Sequence, residues 1–327
     1  RIINSFFSAD GLSWMAEPGA RLEMDSATDL ESGGVKDAAV VRLADGRYFM
    51  VYVTEIQEAP TPLGPVTGAY LMSFHACDAA AANCRDPRNH RVYLAQSDDG
   101  TAWGLVPGWP SFPGSVPDVI RRGETVYLYA GGFLVRCRLG ESRIEQAFPV
   151  RVDGLESGFV DPSLILDAQG RLVLFFLHGR PGSDPAGCPP GLPSCVNRFG
   201  SATEVRGSDG TLFALDAGDR LSVTLGEGSP WRSASDPDVF FDGEQYVMYV
   251  SHGPSISVWV SPELRGSYRK VADLNADTGG VPAGHFDPAT RQYWTYAHAS
   301  RGGPSGAAVI RRAVHAGFAR LLTEQDW

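Results

Sequence analysis

The sequence predicts an all-β chain folded as a five-bladed β-propeller, and three observations carry that reading. Five segments repeat one plan of short strand, tight polar turn and second strand. A Ser/Gly-x-Asp-Gly turn followed by an aromatic recurs between them, and amphipathic helix periodicity is almost absent. Hairpins with outer strands repeated at intervals suit a radial propeller. A β-sandwich is the alternative fold; it accounts for the strand count but not for one entry position that returns in every unit.

The repeated segments, in order, are "KDAAVVRLADGRYFMVYVTE" (36–55), "VPDVIRRGETVYLYAGG" (116–132), "VDPSLILDAQGRLVLFFLHG" (160–179), "SDPDVFFDGEQYVMYVSHG" (235–253) and "VPAGHFDPATRQYWTYAHA" (281–299). Their turns, "ADGR", "RRGE", "DAQG", "FDGE" and "DPAT", carry the Gly and Asp chemistry that hairpins favour. Alignment on the turns puts Asp37, Val116, Asp161, Asp236 and Val281 at one position, with Ala39, Asp118, Ser163, Asp238 and Ala283 two residues on. The second element reads "SADGLSW" (8–14), "SDDGTAW" (97–103) and "GSDGTLF" (207–213), and is expected to close outer strands. Residues 1–18 precede the first hairpin and are expected to complete the last blade, giving one domain over 1–327.

Composition bounds what such a domain can do. The 327 residues are 43% hydrophobic and 20% charged, with 38 Gly and 23 Pro, enough for a large core and many turns. A net charge of −10, with Lys only at 36 and 270, argues against nucleic acid or an anionic membrane as partner. No apolar run approaches a membrane span. The chain starts at Arg1, which fits a mature chain or an excised domain. "CDAAAANC" (Cys77, Cys84) and "CPPGLPSC" (Cys188, Cys195) each hold two cysteines with six residues between them, in polar loops. Zinc pairs usually stand closer and need His partners at finger spacing, so disulfides and a secreted or periplasmic location are expected. Cys137 alternates with Val135 and Leu139 and is expected to be a buried thiol.

In a propeller the innermost strand of each blade starts on one face, and its partner returns to that face. The starts would bring Asp37, Asp118, Asp161, Asp236 and Asp238 together, and the returns Glu55, His178, His252 and His298. Carboxylates gathered from distant parts of a chain cost stability unless used or paired. Such a set suits glycoside hydrolysis, in which one carboxyl acts as acid and another as base or nucleophile, with no cofactor required. A third close carboxylate would keep the acid protonated near neutral pH. Trp109, Phe159 and Trp231 precede blade entries and are candidates to stack on sugar rings, with Arg232 as a hydroxyl or carboxylate partner. "RDP" (85–87) lacks a following apolar strand and reads as loop; the histidines would serve better as sugar contacts than as a transition-metal centre.

The hairpin "VDPSLILDAQGRLVLFFLHG", the blade plan and "AGHFDPATRQYWTYAH" resemble glycoside hydrolase family 43 and its clan relatives, the five-bladed arabinanases, xylosidases and arabinofuranosidases, with invertases further off. The resemblance implies an inverting mechanism on a furanoside or pentose-containing glycan, with Asp37 as general base. It implies that Asp161 tunes and positions the acid, and that His285 in "AGH" helps hold an axial structural calcium. Two departures stand out. The first motif reads Asp37-Ala38 where the family usually has Asp-Pro, and Ser235-Asp236 occupies the place of the family's acid Glu. Asp236 and Glu204 are the candidate acids, and a carbohydrate-binding propeller without activity is the alternative. A carbohydrate ligand and a monomer are expected either way.

Overall fold

The computed structural model describes, with side chains, residues 89–98, 104–106, 114–130, 132–138, 148–155, 158–178, 196–225, 234–252, 255–274, 280–288 and 290–297. Of the rest it describes only strand backbone, at 2–7, 15–16, 22–23, 36–42, 48–53, 70–77, 112–113, 195, 298–300 and 308–315. The described residues are almost entirely strands, and the chain is a five-bladed β-propeller. Among the described residues no helix is long and apolar enough to cross a membrane.

All five expected hairpins form antiparallel pairs: Lys36–Arg42 with Tyr48–Val53, Asp118–Arg122 with Thr125–Ala130, Phe159–Leu166 with Leu172–His178, Ser235–Phe241 with Tyr246–Ser251, and Gly280–Asp287 with Gln292–Ser300. The last sheet continues from Gln292–Ser300 to Ala308–His315 and then to Ile2–Phe7.

Contacts divide the chain into two compact units. One comprises Arg1–Ser5, Ala16–Val150 and Tyr296–Arg311 and carries the first two hairpins. Its second blade runs Asp118–Arg122, Thr125–Ala130, Phe133–Arg138 and Phe148–Pro149 in sequential order. Cys137 is a buried thiol in that sheet. Cys84 and Cys188 lie outside the described residues, and of Cys77 and Cys195 only backbone is described.

The other unit comprises Phe6–Met15, Arg151–Thr295 and Arg312–Trp327. Its core lies between the third and fourth blades. Val173, Phe175 and Leu177 on the central strand of one meet Val239, Met248 and Val250 of the other, with Phe199, Val223 and Tyr268 closing the cluster. Leu172 to Leu177 is buried without interruption, because this strand is covered on both faces, and "LVLFFL" is correspondingly apolar at every position rather than at alternate ones. Each such side chain contributes roughly 1.5–3 kcal/mol of burial.

The third and fourth hairpin turns are held by aspartates. Asp167 accepts the N–H groups of Gln169 and Arg171 at 3.0 and 2.9 Å, and Asp242 those of Glu244 and Gln245 at 2.9 and 2.8 Å. Both are Asx-type turns, so the Asp residues of "DAQG" and "FDGE" are structural. Each also latches its neighbour: Arg265 reaches Asp167 at 2.9 Å, and the Tyr293 hydroxyl donates to Asp242 at 2.7 Å.

Candidate active site

The recurring entry position is a bulge in the strand. In the first, third and fourth hairpins the pairing shifts register between Lys36 and Ala39, between Val160 and Ser163, and between Ser235 and Asp238. In each case the entry strand advances three residues while its partner advances two, so one extra residue falls at Asp37, Asp161 or Asp236. At the third and fourth of these entries the backbone turns left-handed. Asp161 has φ 55° and Asp236 φ 49°, and the same conformation returns at Val116 (46°) and Val281 (51°), the aligned positions of the second and fifth hairpins. Proline follows all four, at 117, 162, 237 and 282, where a strand interior would reject it and a bulge does not. Asp tolerates a left-handed backbone; for a β-branched Val it is a strained conformation of the kind that clusters at functional sites.

The bulges bring two candidate carboxylates into one network. Asp161 Oδ2 accepts the backbone N–H of Asp236 at 3.3 Å, and Ser235 Oγ donates to Asp236 Oδ2 at 2.6 Å. Both aspartates keep partial solvent access. The carboxylate of one entry therefore fixes the backbone that carries the carboxylate of the next.

Two residues further on, the repeated position has a different task. Ser163 Oγ accepts the N–H of Val239 at 3.0 Å, and Asp238 Oδ2 accepts the N–H of Gly284 at 2.6 Å. In both cases the acceptor stands two residues after the bulge, and the donor three residues after the next bulge. Asp238, expected as a sugar contact, is thus a clamp between inner strands. The backbone N–H of Val281 is likewise held, by Ser251 Oγ at 3.2 Å.

Glu204 differs from the expectation as well. It lies on Cys195–Glu204, the third strand of its blade, and is buried. Oε2 accepts the N–H of Leu172 at 3.1 Å, and Oε1 that of Gly210 at 2.8 Å, so both oxygens brace the central strand and the "GSDG" turn. Nothing in that arrangement presents a proton to a ligand.

The histidines fall into separate settings. His178 ends the return strand opposite Phe159, and its Nε2 meets Asp219 Oδ1 at 2.9 Å. His252 follows Ser251 at the equivalent place one blade on; burial holds its imidazole below the ordinary pKa, with Asp273 opposing and Lys270 reinforcing the shift. His285 packs edge-on against Trp294, ring centroids 5.7 Å apart. Among the described residues no group of three His, Cys, Asp or Glu side chains stands ready to hold a metal, and calcium prefers oxygen ligands to imidazole. Asp118 is buried at the start of its strand. Only backbone is described for Asp37 and His298, and Glu55, Trp109, Trp231 and Arg232 lie outside the described residues. Reading the sequence alone missed Asp219, whose only signal is a polar loop, and the clamping role of Ser163, whose signal is its alignment with Asp238.

The fold is that of solved family-43 glycoside hydrolases. A GH43_1 enzyme from Xanthomonas citri matches with a TM-score of 0.52 at 16% identity, covering 87% of this chain and 88% of that one. Its complex with xylotriose gives 0.50 at 17% over 87% and 88%. A thermostable family-43 glycoside hydrolase gives 0.51 at 14% over 85% and 88%. No protein-family model and no curated protein matches the chain.

Proposed function

We propose that this chain is a glycoside hydrolase that cleaves a furanoside or pentose-containing glycan with inversion. The observation that supports this best is the linked pair of bulged aspartates, in which Asp161 Oδ2 accepts the N–H of Asp236. An inverting reaction needs one carboxyl to protonate the leaving oxygen and another to activate water. Asp236 takes the first part. It stands where the family resemblance places the acid, and Glu204 is occupied with backbone. Asp161 orients Asp236 through its backbone. Asp37, at the equivalent bulge of the first hairpin, is the base that the family resemblance names. These steps balance without a cofactor, and no step is assigned to calcium. The xylotriose bound by the Xanthomonas citri enzyme makes a pentose glycan the first substrate class to try.

A second reading has one observation in its favour. Asp236 is a methylene shorter than the Glu the resemblance expects, and one of its oxygens already accepts from Ser235. A chain that had lost its acid would bind the sugar without cleaving it. Hydrolysis of aryl pentofuranosides, aryl pentopyranosides, arabinan and xylan by the purified chain separates the two, and proton NMR of the first product reports its anomeric configuration. Turnover with an inverted anomer supports the proposal; a retained anomer rejects inversion. Saturable glycan binding with no turnover moves the assignment to the binding protein.

A further inference from the structure

Next to the bulged Asp161, the third blade carries an aromatic and imidazole pair whose geometry is fixed from three sides. Phe159 and His178 are directly opposite each other across the hairpin and so stand on one face of the sheet. Phe176, two residues before His178, shares that face and is fully buried beneath them. Its ring lies 5.2 Å from that of Phe159 and 6.1 Å from that of His178. Across the next pairing Phe176 faces Gly200. A Cβ at Gly200 would approach Phe176 Cε2 to 3.1 Å and His178 Cδ2 to 3.2 Å, tighter than ordinary packing. The missing side chain lets the rings lie down on the strand.

The third constraint is polar. Asp219, from the loop ahead of Leu221–Leu225, accepts from His178 Nε2 at 2.9 Å. Its other oxygen takes Arg198 Nη1 at 3.0 Å and Ser222 Oγ at 3.3 Å. Arg198 is the strand partner of both His178 and Ser222, so the carboxylate is held by the sheet that holds the imidazole. An ionised Asp219 can only accept, which puts the proton of the neutral ring on Nε2 and leaves the Nδ1 lone pair outward. Nδ1 has no protein partner among the described residues, and the His178 side chain is 20% exposed.

We infer that Phe159 and His178 form a subsite for a neutral sugar ring, in which Nδ1 accepts a hydroxyl hydrogen and Asp219 is the positioning residue. The inference rests on the glycoside reading and names the ring class it takes. A uronate is disfavoured because Arg198, the nearby cation, is already neutralised by Asp219. Phe159 supplies an apolar face beside the hydroxyl acceptor, the pairing that sugar C–H and O–H groups require.

The test uses protein labelled with 15N-histidine, titrated with xylose, arabinose and glucuronate while the ring nitrogens of His178, assigned with His178→Gln, are followed by long-range NMR. The expected result is an Nε2–H tautomer in the free protein and a shift of Nδ1 with xylose or arabinose but not glucuronate. Asp219→Ala is expected to lose the tautomer preference and weaken sugar binding about tenfold, and Asp219→Asn, whose amide oxygen can still accept from Nε2, to restore most of both. A purely structural Asp219 would lower Tm and leave the tautomer alone. Sugar titration that leaves Nδ1 unmoved overturns the subsite, as does an Asp219→Ala variant that binds like the wild type. Running the glycosidase panel on the same samples keeps the two ideas apart. Turnover without an Nδ1 shift rejects the subsite alone, an Nδ1 shift without turnover rejects hydrolysis alone, and absence of both rejects both.

Discussion

Among the described glycines, Gly284 has the least room for a side chain, and Gly284→Ala tests it. A Cβ at 284 would collide with Phe240 Cε1 and lie 2.7 Å from Cδ1 of the same ring and 2.8 Å from Tyr249 Cε2. Ordinary carbon contacts begin near 3.4 Å, so Phe240 Cε1 and the Cβ must part by more than an ångström. Tyr249 is fully buried, and the half-buried Phe240 lies between it and Tyr293, with ring centroids at 5.1 and 6.3 Å, so the two tyrosines block retreat of the Phe240 ring towards either of them. Overpacking of this kind costs about 1–3 kcal/mol. If the backbone yields instead, the 2.6 Å bond from Gly284 N–H to Asp238 stretches, and a hydrogen bond to a charged group is worth about 1.5–3 kcal/mol. By either route the loss comes to about 1–3 kcal/mol. Urea unfolding should show it as a lower midpoint at unchanged slope. Phe240→Leu placed on top should return part of the loss, because the shorter side chain vacates the site of collision. A loss below about 1 kcal/mol, or no rescue, would refute the close approach and with it the packing of the entry strands.

Three further outcomes follow from the same geometry. Ser163→Ala removes the acceptor for the Val239 N–H at a buried site and should cost about 1–3 kcal/mol by the same unfolding assay, whereas Ser163→Thr should cost less. Val281→Asn replaces a β-branched residue at φ 51° with one that tolerates the left-handed region, and should raise stability by about 1 kcal/mol; a loss would contradict the strain argument. Burial opposes ionisation of Asp167, but the Arg171 N–H, the Arg265 and Arg171 guanidinium groups and the Gln169 N–H outweigh it and hold the carboxyl below its ordinary 3.8. A depressed folded pKa stabilises above the unfolded pKa and is lost as pH falls through the folded value. The stability gap between wild type and Asp167→Asn should therefore be constant from neutral pH to about 5 and close below about 4; a gap that widens in acid would reverse the assignment.

Much of the architecture was legible because turn chemistry is local. "DAQG" and "FDGE" fix hairpins within a few residues, as Asp167 and Asp242 bond N–H groups two to four residues away. The entry position was legible as a recurrence and not as a conformation. Val116 and Val281 have high strand propensity, so their left-handed backbone is imposed by the surrounding sheet against local preference. The carboxylates split for a similar reason. Asp236, Asp238 and Glu204 look alike as acids in a sequence, yet one lies in a bulge and two accept backbone N–H groups from residues 46 and 32 positions away. The approach of Asp219 to His178, across 41 residues, depends on a loop whose path no local pattern encodes.

Proton donation from Asp236 to the leaving oxygen is measured by comparing two leaving groups in Asp236→Asn. An unactivated pentose oligosaccharide such as xylotriose needs an acid, while a dinitrophenyl glycoside leaves without one. The expected fall in kcat/KM is about 10²–10⁴-fold on the oligosaccharide and less than about tenfold on the dinitrophenyl glycoside. Asp37→Asn, lacking the base, should lose both. An Asp236→Asn enzyme that keeps its rate on the oligosaccharide, or a Glu204→Gln enzyme that shows the leaving-group dependence instead, would contradict it.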